Sequence, residues 1–319
     1  MITLEFSCEP DSKWNQRLLD SKLGSMQQTK EYGYSKSKVG ASPLFLKFIT
    51  SNGEIVGQLL ILLYSKLENK GKIGRILQKF VNDKFILAKW VYGPIIFNEN
   101  YKDEINLVLQ NFLIQKKYKI WGSEFPLQSI FSNNVTPFTL KQWGTFLIDL
   151  SLNKEDIWKK LDKHSAKKNV KRSQERNVEI REMTKSDLQI YYNLYKNSAK
   201  KNSNVGISFL EEQWNILHPI GYSGFIAFEN NIPIGAIRVS SFNGYINEYS
   251  IIRSERDTKE KLYSQDLLKW KIIEWGLENN FSYYDLSGIN LNPNNIKEKG
   301  IFRYKQKWGG KLTKYNIIK

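Results

Sequence analysis

Two stretches decide the fold when laid side by side: "YKDEINLVLQNFLIQKKYKIWGSEFP" at 101–126 and "SQDLLKWKIIEWGLENNFSYYDLSG" at 264–288. In the first, Ile105, Leu109, Phe112 and Leu113 share one helical face, and the chain then turns β-rich around Ile120. In the second, Leu268, Ile272 and Trp275 share a face, and a strand follows that ends at Asp285. Each is preceded by a matching hairpin pattern, "NGEIVGQLLIL" at 52–62 and "NNIPIGAIRVS" at 230–240. In both, an asparagine-led turn joins two strands, with Gly57 and Gly235 at corresponding places. The order strands, helix, strand therefore occurs twice, which predicts a mixed α/β (α+β) chain built by duplication.

The predicted domains are 1–150 and 151–319, dividing near "LSLNKEDIWKKLDK", where a strand ending at Leu150 meets a charged helix. No Gly/Ser- or Pro-rich linker separates the halves, so they are expected to pack directly, with a cleft between them as the default ligand site. At 319 residues, each half is long enough to bury a core of its own.

Composition narrows the chemistry. One cysteine, Cys8, excludes an intrachain disulfide framework and a thiolate metal cluster. Two histidines, His164 and His218, are poor material for a metal site or a Ser/His/Asp triad, and neither a metal nor a cofactor is implied. The start, "MITLEFSCEPDSKW", has no basic segment followed by an apolar run, and apolar runs elsewhere are strand-sized, so a cytoplasmic location is expected. A formal net charge of +16 favours polyanionic partners: RNA, nucleotide diphosphates or an anionic membrane surface.

Much of that charge lies in "KEDIWKKLDKHSAKKNVKRSQERNVEIR" at 154–181, a basic helical region anchored by Ile157 and Leu161. It is either a landing surface for phosphates, with Lys167, Lys168, Lys171 and Arg172 as candidate nucleic-acid contacts, or a solvated helix over the interdomain seam. No GxSxG elbow, Walker loop, GxGxxG fingerprint or metal-ligand spacing occurs. The Q/R-x-x-G-x-G/A loop with which acetyl-CoA enzymes hold a pyrophosphate is also missing.

The richest chemical constellation is "YYDLSGIN" at 283–290, an Asn/Pro-rich loop, and the closing "GIFRYKQKWGGKLTKY" at 300–315, read as a basic-aromatic strand. Asp285 either positions or deprotonates an amine, or caps its turn and pairs with Arg303. Lys305 or Arg303 is placed to stabilise negative charge on an acyl oxygen or a phosphate.

The run from "GYINEYSIIRSERDTKEKLY" through "YDLSG" to "FRYKQKWGG" resembles the carboxyl-terminal domain of the FemABX peptidyltransferases and of related acetyltransferase-like proteins of polysaccharide biosynthesis. "SMQQTKEYGYSK" and "VYGPIIF" are similar to that family's opening helix and glycine-proline strand. The resemblance implies two tandem GNAT-like (acyl-CoA N-acyltransferase-like) domains around a cleft, of the compact type without a coiled-coil arm. It implies transfer of an amino acid from aminoacyl-tRNA to the amine of a UDP-linked or lipid-linked peptidoglycan precursor, with peripheral contact at the membrane surface. On the matching motifs, Lys305, with Arg303 beside it, is the implied charge stabiliser. Lys36, Tyr249 and Lys200 or Lys201 are implied to line the precursor site, although the family's arginine is not plainly present near the last two. Two alternatives remain: a GNAT-like N-acyltransferase using an acyl thioester on an amino sugar or other amine, and a non-catalytic RNA-binding protein. An RNA binder should carry exposed aromatics in its basic patch, and 154–181 holds only Trp158.

Overall fold

The computed structural model of the chain describes residues 1–65, 86–131, 137–198 and 206–319. It divides into two compact units, Met1–Trp143 with Lys314–Lys319, and Gly144–Thr313. The division lies inside a strand, Leu140–Asp149, where the sequence reading placed it at 150, and the last residues belong with the first unit.

In the first unit β1 (Ile2–Ser7), β2 (Ala41–Thr50), β3 (Ile55–Ser65) and β4 (Ile86–Trp90) pair antiparallel in that order. Of the "VYGPIIF" segment only β5 (Ile95–Ile96) is strand, paired to β3. The Lys102–Lys116 helix then leads to β6 (Lys119–Ser123), which runs parallel to β4. Ile105, Leu109, Phe112 and Leu113, the face read from the sequence, are all buried in a core with Phe48, Val56, Leu59 and Trp90. Each such side chain removed from water contributes about 1.5–3 kcal/mol before the entropy of ordering it is subtracted.

The second unit repeats the plan. It takes the Gly144–Asp149 part of β7 (Leu140–Asp149), then β8 (Glu179–Glu182), β9 (Tyr222–Glu229), β10 (Ile232–Phe242) and β11 (Tyr245–Arg253). β8 to β11 pair antiparallel in sequence order. The Ser264–Glu278 helix leads to β12 (Tyr283–Asp285), parallel to β11 and antiparallel to β7. Leu268 and Ile272 are buried beneath it, with Trp275 packed on the same core. The turn between β9 and β10 has Asn230 and Asn231 both at positive φ, the backbone a two-residue hairpin requires. Gly57 and Gly235 match because each lies where a helix crosses its strand closely. A Cβ on Gly57 would meet Ile105 Cδ1 at 3.2 Å, and one on Gly235 would meet Ser264 Oγ at 2.6 Å.

Two elements differ from expectation. The basic region is not one helix to 181: Lys154–Lys160 ends, a π-helical turn follows at Lys163–Lys167, Lys168–Glu175 resumes, and β8 then begins. The break comes at Asp162, whose carboxylate caps the next turn by accepting from His164 N (3.1 Å) and Ser165 N (2.7 Å). The closing stretch begins as a helix, Ile296–Gln306, before β13 (Lys311–Ile318). Asn295 caps it by accepting from Glu298 N, acid lies in its first turn, and Arg303 and Lys305 lie in its last, the charge order a helix dipole favours.

The glycine pair after this helix is a docking feature. Gly309 is at φ +69°, and a Cβ there would lie 2.4 Å from the Lys160 carbonyl oxygen; a Cβ on Gly310 would meet the Leu147 oxygen at 2.8 Å. In the first unit the Lys314–Ile318 end of β13 is held by Glu124, which is fully buried. Its carboxylate accepts from Asn316 N (2.7 Å) and Ile130 N (2.6 Å) and also from Phe131 N. No helix among the described residues is long and apolar enough to cross a membrane.

Gly309→Ala should therefore cost more than the roughly 1–2 kcal/mol of a left-handed backbone alone, because the backbone it meets cannot yield. Gly300 is inside the same helix with nothing within 4 Å of its Cβ position; Gly300→Ala should stabilise by about 0.5–1 kcal/mol. Thermal unfolding of the two variants beside the parent reads both signs.

Candidate functional site

The second unit has a fully buried polar centre at the end of β12. Asp285 has both carboxylate oxygens occupied. Oδ1 accepts from Ser287 N (2.7 Å) and the Thr145 hydroxyl; Oδ2 accepts from Tyr245 OH (2.7 Å) and Asn247 Nδ2 (3.1 Å). The donors come from β7, β11 and the turn after β12, so the carboxylate fixes the turn. Ser287, at φ 64°, in turn donates its hydroxyl to the Glu248 carbonyl. Of the two sequence readings of Asp285 this is the turn-holding one, without Arg303: a carboxylate with four donors and no exposure is not placed to take a proton from a substrate amine.

Lys305 is brought to this turn. It is 8% exposed, and its Nζ donates to the carbonyls of Ser287 (3.0 Å) and Gly288 (3.2 Å). Burial pulls its ammonium down to about 8; Lys269 adds to the fall, while the Glu248 and Asp285 carboxylates oppose it. Two of its three N–H donors are taken by carbonyls.

Arg303 is on the same helix two positions earlier, roughly 200° around the helix axis. It is exposed and lines a cavity of about 410 Å³ with Lys160, Asp162, Ser165, Gln306 and Lys307. The expected partnership of Arg303 with Lys305 is therefore not formed, because a helix sends positions i and i+2 to opposite sides.

Sequence reasoning missed the ion pair beneath the site. Lys269 on the Ser264–Glu278 helix and Glu248 on β11 are both buried and bonded to one another. Tyr284 OH donates to the same carboxylate oxygen at 2.8 Å, and burial with the Glu248 charge pushes that phenol well above its ordinary value. The signal was present: Glu248 in "YINEYS" and Lys269 in "LLKWKII" are charges set inside largely apolar runs.

Tyr249 is half-buried beside Arg238. The guanidinium lies 4.4 Å from the Tyr191 ring centroid, 5.6 Å from that of Tyr222 and 5.8 Å from that of Tyr249, and it donates to Gln213 Oε1 (3.2 Å). Lys36, in the first unit, lies at the end of the Lys30–Ser37 helix with its Nζ 5.1 Å from the Tyr32 ring. Lys200 and Lys201 lie outside the described residues. In the basic region Ile157 and Leu161 are buried as anchors, Lys167 Nζ bonds the Lys159 carbonyl, and Arg172 lies against Tyr263. Lys168 and Lys171 lie on the same helical turn and the one after it, on the surface of the unit. Trp158 packs edge-on against Trp270 at 4.6 Å, so it is not an open stacking platform.

No family model matches the sequence, and no curated protein does. Solved structures do. A structure described as FemX superposes with a TM-score of 0.71 at 12% identity, covering 98% of this chain and 96% of that one. L-PGS from Bacillus licheniformis gives 0.58 at 13% identity, covering 97% and 91%. A tandem GNAT protein from the clavulanic acid biosynthesis pathway gives 0.56 at 11%, covering 99% and 97%. The chain has the FemX-like tandem GNAT fold. Within that fold, the Asp285 centre and Lys305 belong to the second repeat.

The ion pair makes a sharp prediction. Lys269→Met leaves a buried Glu248 uncompensated and should cost about 3–5 kcal/mol. Lys269→Met combined with Glu248→Gln, which keeps an acceptor for Tyr284, should regain much of that loss in a denaturant titration.

Proposed function

We propose that the protein is an acyltransferase that moves an amino acid from aminoacyl-tRNA to the side-chain amine of a peptidoglycan precursor peptide. One observation carries the reading: a lysine buried at the end of β12 in a FemX-like fold, with its ammonium pulled down to about 8 and one donor left over. The +16 charge suits an RNA donor and a diphosphate-bearing acceptor. A UDP-linked or lipid-linked acceptor, met at a membrane surface, is proposed with it.

In this reaction the neutral acceptor amine attacks the ester carbonyl of the aminoacyl-tRNA. A C–N bond forms, the carbonyl oxygen becomes an oxyanion, and the ester C–O bond then breaks. The proton lost by the attacking nitrogen ends on the departing ribose oxygen. Lys305 donates its remaining N–H to the developing negative charge, an interaction strongest in the transition state. Orienting amine and ester supplies the larger part of the remaining acceleration. Asp285 acts indirectly, by fixing the two carbonyls on which Lys305 rests.

Tyr249 and Lys36 are proposed as acceptor contacts. Trp158, turned against Trp270, weighs against the RNA-binding reading without catalysis.

Label should pass from a mixed pool of charged tRNA to a UDP-linked muramyl peptide and be abolished by RNase. Consumption of an acyl thioester, with no transfer from tRNA, would instead support the N-acyltransferase reading. Lys305→Ala should lower the single-turnover rate about 10²–10³-fold in a folded protein, and full activity would remove its role. Because the charged lysine is the active form, the rate should fall as pH rises through about 8; in Lys305→Arg that alkaline limb should disappear, since guanidinium stays charged.

A further inference from the structure

We propose that the cavity lined by Lys160, Arg303 and Lys307 is a phosphate subsite for the acyl donor. The inference takes the phosphate-bearing nature of the donor from the proposed function and assigns it a place.

The cavity, about 410 Å³, is lined by Lys160, Asp162, Ser165, Arg303, Gln306 and Lys307. Its volume is near the lower end for small-ligand sites, enough for a phosphate and an attached sugar. Three of its residues are cationic and one is an acid. The acid is already engaged, since Asp162 Oδ1 accepts from His164 N, Ser165 N and the Ser165 hydroxyl. The Ser165 hydroxyl above all, with the two backbone donors and the neighbouring charge, holds its carboxyl below the usual range, so it stays ionised and capped. Lys307 is paired with Asp266. Lys160 and Arg303 form no ion pair or side-chain hydrogen bond among the described residues, Lys160 being close enough to Asp156 only to help the bonded Lys159 hold that carboxyl below its usual range, and both line the same cavity. Two like charges lining one concavity are stabilised by an anion placed between them, and the arginine fork matches two phosphate oxygens.

The wall is pre-formed. Gly309 brings the chain against the Lys160 carbonyl, and Asp162 N donates to the Lys307 carbonyl at 2.9 Å. The cavity is thus built by the two parts of the sequence richest in cations, the basic region and the closing segment. The carboxyl end of the Ile296–Gln306 helix gives an anion no help, so recognition falls to the side chains. That one helix sends Lys305 inward to the Ser287 and Gly288 carbonyls and Arg303 outward to the cavity.

Phosphate of this kind occurs in the 3′ end of tRNA and in coenzyme A, and direct binding separates them. Three probes are titrated into the full chain by anisotropy or calorimetry: a labelled acceptor-stem RNA hairpin with a single-stranded 3′ end, coenzyme A, and inorganic pyrophosphate. The cavity variant Arg303→Gln/Lys160→Gln is compared with Lys13→Gln/Lys185→Gln, which removes the same charge from exposed sites elsewhere. The expected result is a loss of about tenfold or more for the cavity variant, little change for the control, and partial rescue by retaining Arg303 with Lys160→Gln alone. Loss confined to the hairpin and pyrophosphate assigns the subsite to RNA. Loss confined to coenzyme A and pyrophosphate keeps the subsite and sinks the tRNA-dependent reading. Three outcomes overturn the subsite: equal losses in both variants, which mean diffuse charge attraction, unchanged binding in the cavity variant, or no binding of any probe to the parent. Labelled transfer from tRNA that persists beside unchanged binding would leave the proposed reaction standing without it.

Discussion

The second unit is organised around a carboxylate that cannot be hydrated. Asp285 is wholly buried, so each lone pair left without a donor would carry a desolvation penalty. Four donors from three parts of the chain meet that demand, and in doing so they determine where the β12 turn lies. The turn's next carbonyls, those of Ser287 and Gly288, then become the seat of Lys305. A polar network of this kind is satisfied as a whole or costs more than an apolar core would, which is why it specifies one geometry.

The same constraint governs the cations. Lys269 is fully buried and tolerated because Glu248 answers it charge for charge. Lys305 has no such partner in contact among the described residues: carbonyl dipoles hold it, and burial makes its ammonium easier to deprotonate. Arg303, one short step away on the helix, remains exposed. Burial thus sorts three basic groups into a structural ion, a tuned donor and a solvated cation.

Much of the architecture was legible because it is periodic. The helix faces at Ile105–Leu113 and Leu268–Ile272 recur at helical spacing, and the hairpins announce themselves by Asn and Gly, so the repeated strands–helix–strand order could be read directly. The closing segment was misread because Phe302 and Tyr304 alternate with Arg303 and Lys305, a period of two that suggests a strand. The decisive sign was local: Asn295 followed three residues later by Glu298, the start signature of a helix. Lys305 was singled out from its motif, but its separation from Arg303 depends on that helix and could not be seen in a strand reading. The donors to Asp285 are scattered from Thr145 to Ser287, and no spacing rule links residues joined only by tertiary packing.

A saturated Asp285 also constrains the chemistry available to this site. With Asp285 committed to the turn, no general base stands in contact with Lys305 among the described residues, so the proposed transfer requires an acceptor amine that reaches the ester already neutral. In the proposed reaction the lysine cannot serve both as that base and as the stabiliser of an oxyanion, because the two roles need opposite protonation states. An ammonium pulled down to about 8 by burial suits the second role, since it is still charged at neutral pH. On the proposed reading the fold supplies position and one positive charge, which suits an activated ester, whose leaving group needs little more than a proton.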